Sequence, residues 1–274
     1  MTEAVVSLSS VSKSFGVGGV VALDAVDLDV LPGEFVSLIG PSGCGKSTLL
    51  RVIGDLVEAT AGEVVVNGKS ARQARLDRDY GIVFQDAVLY DWRTVRKNIA
   101  LPLELLGWDR AKRTRRVEEL LELVELPAFG DHHPWQLSGG MQQRVSIARA
   151  LSFAPAILLM DEPFGALDEM TRERLNLELL RIWQQSGSTV VFVTHSISEA
   201  VFLSTRVVVM SPRPGRISAI VDVDLPQPRN ADTREQPRFF ELVTEVRDRL
   251  REGGLEDDAT APAEGELVVG EDLQ

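Results

Sequence analysis

Cysteine is almost missing from this 274-residue chain. Cys44 is the only one, so no intramolecular disulfide framework is possible, and a lone thiol suits a reducing cytosol. Long apolar runs are missing too. A membrane span needs about 18–20 apolar residues, whereas the longest candidate, Ala154–Met160, reads as a buried strand. The opening MTEAVVSLSS has neither a basic stretch nor a long apolar one, so no signal peptide is expected. Positive charge is scarce: 29 Lys and Arg against 41 Asp and Glu give a formal charge of −12. That balance excludes a general nucleic-acid binder held by phosphate contacts. Much of the excess acid sits at one end, in Glu252, Glu256, Asp257, Asp258, Glu264, Glu266, Glu271 and Asp272, with no Lys or Arg among them. The remaining body is close to neutral. At 44% hydrophobic and 26% charged residues the whole chain has the composition of a soluble globular protein with ample core.

What is present is organised around Gly40, Pro41, Ser42, Gly43, Cys44, Gly45, Lys46, Ser47 and Thr48, reading GPSGCGKST. The apolar run Glu34–Ile39 precedes it and Leu49–Leu56 follows. A glycine-rich turn between strand and helix leaves backbone N–H groups unpaired at the positive end of the helix dipole, which makes a phosphate cradle. Gly40, Gly45, Lys46 and Ser47 match G-x-x-x-x-G-K-[ST], with Lys46 placed for the β- and γ-phosphates and Ser47 for Mg²⁺. ATP or GTP binding follows. Cys44, close to the start of that helix, is expected to have a lowered thiol pKa, so that its modification would block the nucleotide.

Val5–Val11 and Val20–Val30 nearly alternate apolar with polar residues around a GVGG turn, the pattern of antiparallel strands with one wet face. Glu63–Val66 reads as a short strand entering the turn Asn67–Gly68, and Ile82–Gln85 as a buried strand. From Thr94 to about Leu126 the period becomes helical, and Met141–Leu151 is a further helix. Ala156–Met160 and Thr189–Thr194 have the continuous apolar character of central parallel strands, with helix Glu169–Gln185 between them. Val207–Met210 and Ile217–Val223 read as strands around the turn Ser211–Arg216. A polar link then leads to a helix near Arg238–Arg251, and Gly253 to the end reads as an acidic disordered tail.

Two stretches carry further chemistry. Ala156–Glu162 (AILLMDE) ends a buried strand in acids, which puts Asp161 beside the phosphate loop to hold Mg²⁺ and leaves Glu162 to polarise an attacking water. Leu137–Arg144 reads LSGGMQQR, in which Ser138, Gly139 and Gly140 open a helix and form a second anion site. With this octapeptide the chain closely resembles the ATP-binding cassette (ABC) ATPases, whose signature it is. The resemblance covers roughly Val5 to Val223.

It implies an α/β P-loop NTPase fold with a RecA-like core, an antiparallel β subdomain and an inserted α-helical subdomain at about 94–151. In that scheme 1–223 is the cassette, 224–252 a link and C-terminal helix, and 253–274 the tail. It implies ATP and Mg²⁺ as ligands. Gln85 resembles the glutamine that senses Mg²⁺ or water and links to the membrane partner. Ala166–Asp168 resembles the loop that crosses to the other subunit, His195 the switch histidine at the γ-phosphate, and Phe15 the aromatic stacked on adenine. Partners implied are a second copy arranged head to tail, transmembrane permease subunits and, indirectly, an external solute-binding protein, at the cytoplasmic face of the membrane. Leu89–Glu104 and Met210–Ile217 resemble importers of the nitrate, sulfonate and taurine group, although Asp91 stands before Trp92 where those proteins often have Pro. A soluble ATP-gated scaffold for assembly or repair would call for an inserted partner module or a basic face, and neither is visible. A P-loop kinase leaves LSGG without a purpose.

Overall fold

Residues 3–16, 19–165 and 167–258 are described by a computed structural model of the chain. The alternating segments near the start form one antiparallel sheet. Its strands are β1 (Val6–Ser14), β2 (Val21–Val30), β4 (Ala61–Val66) and the two-residue β5 (Lys69–Ser70), in the order β2-β1-β4-β5. Asn67 and Gly68, at φ 51° and 69°, supply the two left-handed residues that a tight hairpin between β4 and β5 needs.

The continuous apolar runs form the second sheet, of β3 (Phe35–Ile39), β6 (Tyr80–Val83), β7 (Ile157–Asp161), β8 (Thr189–Val193), β9 (Arg206–Met210) and β10 (Ile217–Asp222). Its order is β10-β9-β3-β8-β7-β6, parallel except for the edge strand β10. The central strands β3, β7 and β8 are buried along their whole length, because both faces of the sheet are covered there. Leu158, Met160, Val190 and Phe192 face one hydrophobic cluster, and their neighbours Ile157, Leu159, Val191 and Val193 face the other. The second cluster also takes in the antiparallel sheet and α1 (Lys46–Ile53). The first takes in α3 (Val95–Leu105), α4 (Arg110–Leu123), α5 (Gly139–Ala150), α6 (Glu169–Ser186) and α7 (Ile197–Leu203). The last helix, α8 (Pro237–Asp258), adds Phe239, Leu242 and Val246 to it.

Helix starts follow their caps. Thr94, Asp109, Ser138 and Asp168 each accept a hydrogen bond from the backbone N–H three residues on, starting α3, α4, α5 and α6. The bounds differ from the sequence reading in several places. β1 runs on to Ser14, β6 stops at Val83 and leaves Gln85 in the following bend, and α5 begins at Gly139 rather than Met141. α8 continues to Asp258, so the start of the acidic segment is helical; 259–274 lie outside the described residues. α2 (Ala71–Asp77) and α7 are seven-residue helices, too short to show a period.

Leu120 on α4 is fully buried in the cluster beneath the signature helix. Leu120→Ala is expected to cost about 3 kcal/mol of unfolding free energy in urea denaturation, and a loss below about 1 kcal/mol would show that α4 is not packed as described.

Candidate active site

The site forms where parallel strands end side by side. Between β3 and α1 the loop 40–45 turns sharply, with Gly45 at φ 101°. A Cβ there would also sit 2.7 Å from the carbonyl oxygen of Ala22, so only glycine fits. Gly45 caps α1 with no side-chain hydrogen bond, which leaves the first N–H groups of the helix free for an anion. Lys46, almost wholly buried, donates to the carbonyls of Gly40 at 2.8 Å and Pro41 at 3.0 Å and so spans the loop.

Period two places Asp161, at the end of β7, on the same sheet face as Ile157 and Leu159, which is the face that α1 covers. The Ser47 hydroxyl donates to Asp161 Oδ1 at 2.6 Å, and Arg51 lies 3.7 Å from its other oxygen. Glu162, at φ 46°, leaves the strand direction, and its Oε2 lies 3.3 Å from His195 Nδ1. His195 follows β8 in a bend fixed by Thr194, whose hydroxyl donates to the buried Glu199 and accepts the N–H of Ser196. Burial pushes the Glu199 carboxyl above its ordinary pKa. Gln85 and Glu162 flank Gly165 from two sides, each 3.4 Å from where a Cβ would stand.

A cleft of about 610 Å³ joins Phe15, Val20 and Ala22 at one end to Ser42, Gly43, Gly45, Lys46, Ser47, Thr48, Glu162 and His195. Phe15 is half exposed there, with Lys13 Nζ 5.1 Å from its ring centre. Ser138, Gly139 and Gly140 do not line the cleft. They lie instead beside the segment before α6: ideal Cβ atoms on Gly139 and Gly140 would meet Leu167 at 3.7 Å and Thr171 at 3.4 Å. Asp168 caps α6 there through the N–H of Thr171, which holds its carboxyl below the usual range. Ala166 lies outside the described residues.

Two findings depart from the sequence reading. Cys44 is 1% exposed, and burial pushes its thiol above the usual pKa by more than Lys46 lowers it. The expected reactive thiol is therefore a core side chain, with its Sγ 3.8 Å from the Lys46 ammonium. Arg213, between β9 and β10, lines the cleft and was not foreseen as a site residue. Its only sequence signal was the proline-rich turn, which says nothing about which strand or loop the turn crosses.

The oxygens of Ser47 and Asp161, with the Gln85 amide at the edge of the site, suit Mg²⁺ in kind. Among the described residues no three His, Cys, Asp or Glu side chains gather into a metal site. An ion here would draw most of its ligands from phosphate oxygens and water, which is the coordination Mg²⁺ favours.

A glycine-rich loop from a parallel strand into a helix, its hydroxyl bonded to an acid ending a nearby strand, defines a P-loop nucleotide-binding protein. A sequence profile described as ABC transporter matches residues 23–165. An uncharacterized ABC transporter ATP-binding protein of Methanocaldococcus jannaschii is 49% identical over 87% of this chain and 90% of its own. An aliphatic sulfonates import ATP-binding protein of Bacillus thuringiensis subsp. konkukian is 43% identical over 91% of this chain and 97% of its own. Among solved structures, a dimeric ATP-binding cassette in a post-hydrolysis state bound to ADP and Pi superposes with a TM-score of 0.70 at 37% identity. It covers 80% of this chain and 98% of that one. The chain belongs to the ABC transporter family, and it is an ATP-binding, ABC-type ATPase coupled to transport.

Burial of Cys44 sets an expectation for alkylation. Iodoacetamide at pH 7.5 should label the folded chain at least about tenfold more slowly than the urea-unfolded chain; equal rates would show an accessible thiolate.

Proposed function

We propose that this chain is the ATP-hydrolysing subunit of an importer. Two copies close head to tail around ATP and drive uptake of small anions, of the nitrate, sulfonate or taurine kind, through separate permease subunits at the cytoplasmic face of the membrane. The observation that carries this reading is the division of the site. One chain supplies Lys46, Ser47, Asp161, Glu162 and His195 in or beside a single cleft, while its second helix-start anion site, at Ser138 and Gly140, stands outside that cleft. A second copy would bring Ser138 to the open side of the bound nucleotide. The dimeric cassette among the similar structures supports that arrangement.

Within the closed pair Phe15 stacks on the base, and the N–H groups of Gly43–Thr48 and the Lys46 ammonium hold and orient the phosphates. Mg²⁺ held by Ser47 and Asp161, with Gln85 at its edge, would neutralise charge shared by the β- and γ-phosphate oxygens. Glu162 orients the attacking water and takes its proton. His195, 3.3 Å from Glu162, fixes that carboxylate on one side and meets the γ-phosphate on the other. Ser138 and Gly140 of the second copy donate to the γ-phosphate from the opposite face, so hydrolysis releases the pair.

A surface suited to the permease lies next to Gln85. Val88, Tyr90 and Trp92 are 60%, 41% and 75% exposed, a run of large apolar side chains that water disfavours, and Leu105 is exposed at the end of α3. The tilted Tyr90–Trp92 pair, with ring centres 4.9 Å apart, presents a preformed knob. No helix among the described residues is long and apolar enough to cross a membrane. The aliphatic sulfonate relative supports a small anion as the solute.

Glu162→Gln should still bind ATP and accumulate closed dimers by light scattering while hydrolysis falls by about 10²-fold or more; hydrolysis at the parental rate would remove Glu162 from its role. Trp92→Ala should leave ATP binding by the isolated chain unchanged yet reduce its recovery with a polytopic membrane protein after detergent extraction. Undiminished recovery would place the permease contact elsewhere.

A further inference from the structure

The turn Ser211–Arg216 between β9 and β10 is stitched to a different sheet. Gly215 N–H donates to the carbonyl of Ala22 at 3.1 Å, and Asp24 N–H donates to the carbonyl of Gly215 at 3.0 Å. The Arg216 guanidinium forks onto Asp24 Oδ2 at 2.6 and 3.1 Å, and Ser211 N–H closes the turn on the carbonyl of Arg216 at 2.9 Å. The turn is thus closed on itself by Ser211 and held against β2 through Gly215 and Arg216, beside the phosphate loop.

This placement sets Arg213 on the loop itself. Its Nε donates to the Gly43 carbonyl at 3.0 Å. A Cβ on Gly43 would lie 2.6 Å from Arg213 Nη2, so the guanidinium packs against the loop where a side chain at position 43 would block it. Arg213 forms no ion pair among the described residues, and it lines the same cleft as Lys46, Ser47 and Thr48. The cleft's other charged groups are Lys46, the one remaining cation, and the acid Glu162. A fully ionised triphosphate chain carries more negative charge than Lys46 and one divalent cation together offset. An arginine pinned through one nitrogen, with its remaining N–H groups free, has the planar fork that phosphate oxygens accept.

We propose that Arg213 is a nucleotide-binding residue, its guanidinium pinned by Nε to the Gly43 carbonyl and presenting its Nη groups to the phosphate chain of bound ATP. The β9–β10 turn is then a strap that carries a second phosphate cation to the outer edge of the loop. This rests on ATP binding at the loop and is independent of whether the chain serves an importer.

The test is equilibrium binding of a fluorescent ATP analogue to the full chain and to Arg213→Ala, Arg213→Lys and Arg216→Ala variants. Arg213→Ala should raise Kd about tenfold, the loss of one charge-assisted hydrogen bond, and should flatten the dependence of binding on salt. Arg213→Lys should lie between, since it keeps the charge but loses the fork. Arg216→Ala loosens the strap without removing the cation, so it should lower the melting temperature while leaving Kd within about twofold. A Kd for Arg213→Ala within twofold of the parental value would overturn the proposal. So would an equal rise in Arg216→Ala, which would assign the effect to the position of the loop. Failure of the parental chain to bind ATP would remove the nucleotide site itself, and Arg213's role with it.

Discussion

The hydrogen bond from Ser47 to Asp161 ties the start of α1 to the end of β7, and the rest of the site depends on it. It can form because β3, β8 and β7 are parallel neighbours, so their C-terminal ends emerge along one edge. β3 delivers the phosphate loop, β7 the two acids and β8 the bend with His195. Period two then sorts the acids. Asp161 keeps to the face covered by α1, and the positive φ of Glu162 turns that side chain toward His195 instead. Consecutive carboxylates thereby meet different partners, Ser47 and His195, without competing for one position.

The two residues proposed to face a second copy, Ser138 and Asp168, are also structural caps. Ser138 accepts the N–H of Met141 and Asp168 that of Thr171, so each satisfies its own helix in the single chain. Gly139 and Gly140 pack beside Leu167 and Thr171, which joins the signature turn and the segment before α6 in one patch. A partner nucleotide reaching Ser138 would therefore press on Asp168 as well, and through α6 on the core that carries β7 and β8. The turn Ser211–Arg216 links the phosphate loop, through Arg213 and Gly43, to the antiparallel sheet at Asp24 and Ala22.

Most of the fold was legible because its signals are local. Short runs with four apolar residues in five gave β3, β7 and β8, and the phosphate loop and LSGG stretch marked their helix starts by residue type alone. What stayed hidden depended on packing across the chain. Cys44 stands near a helix N-terminus, a position that favours a thiolate, yet its side chain points into the cluster under α1 and desolvation wins. Arg213 could not be placed because its partner is a backbone carbonyl 170 residues away, and carbonyls leave no trace in sequence. The end of β6 before Gln85 was misjudged by two residues because Phe84 continues the apolar run after the ladder stops. The antiparallel sheet was readable as strands, although nothing in its residues announced that it would brace the loop.

The central claim is that this chain holds half of each catalytic site. Mixing two inactive variants, Lys46→Ala and Ser138→Arg, tests it most directly, because a head-to-tail pair of the two regenerates one intact site from the good loop of one copy and the good signature of the other. Each variant alone should be inactive, and the mixture should recover ATP hydrolysis to about a quarter of the parental rate if sites act independently and pairing is random. Mixtures as inactive as their components would contradict the account, since they would place the loop and the signature that serve one nucleotide in the same chain.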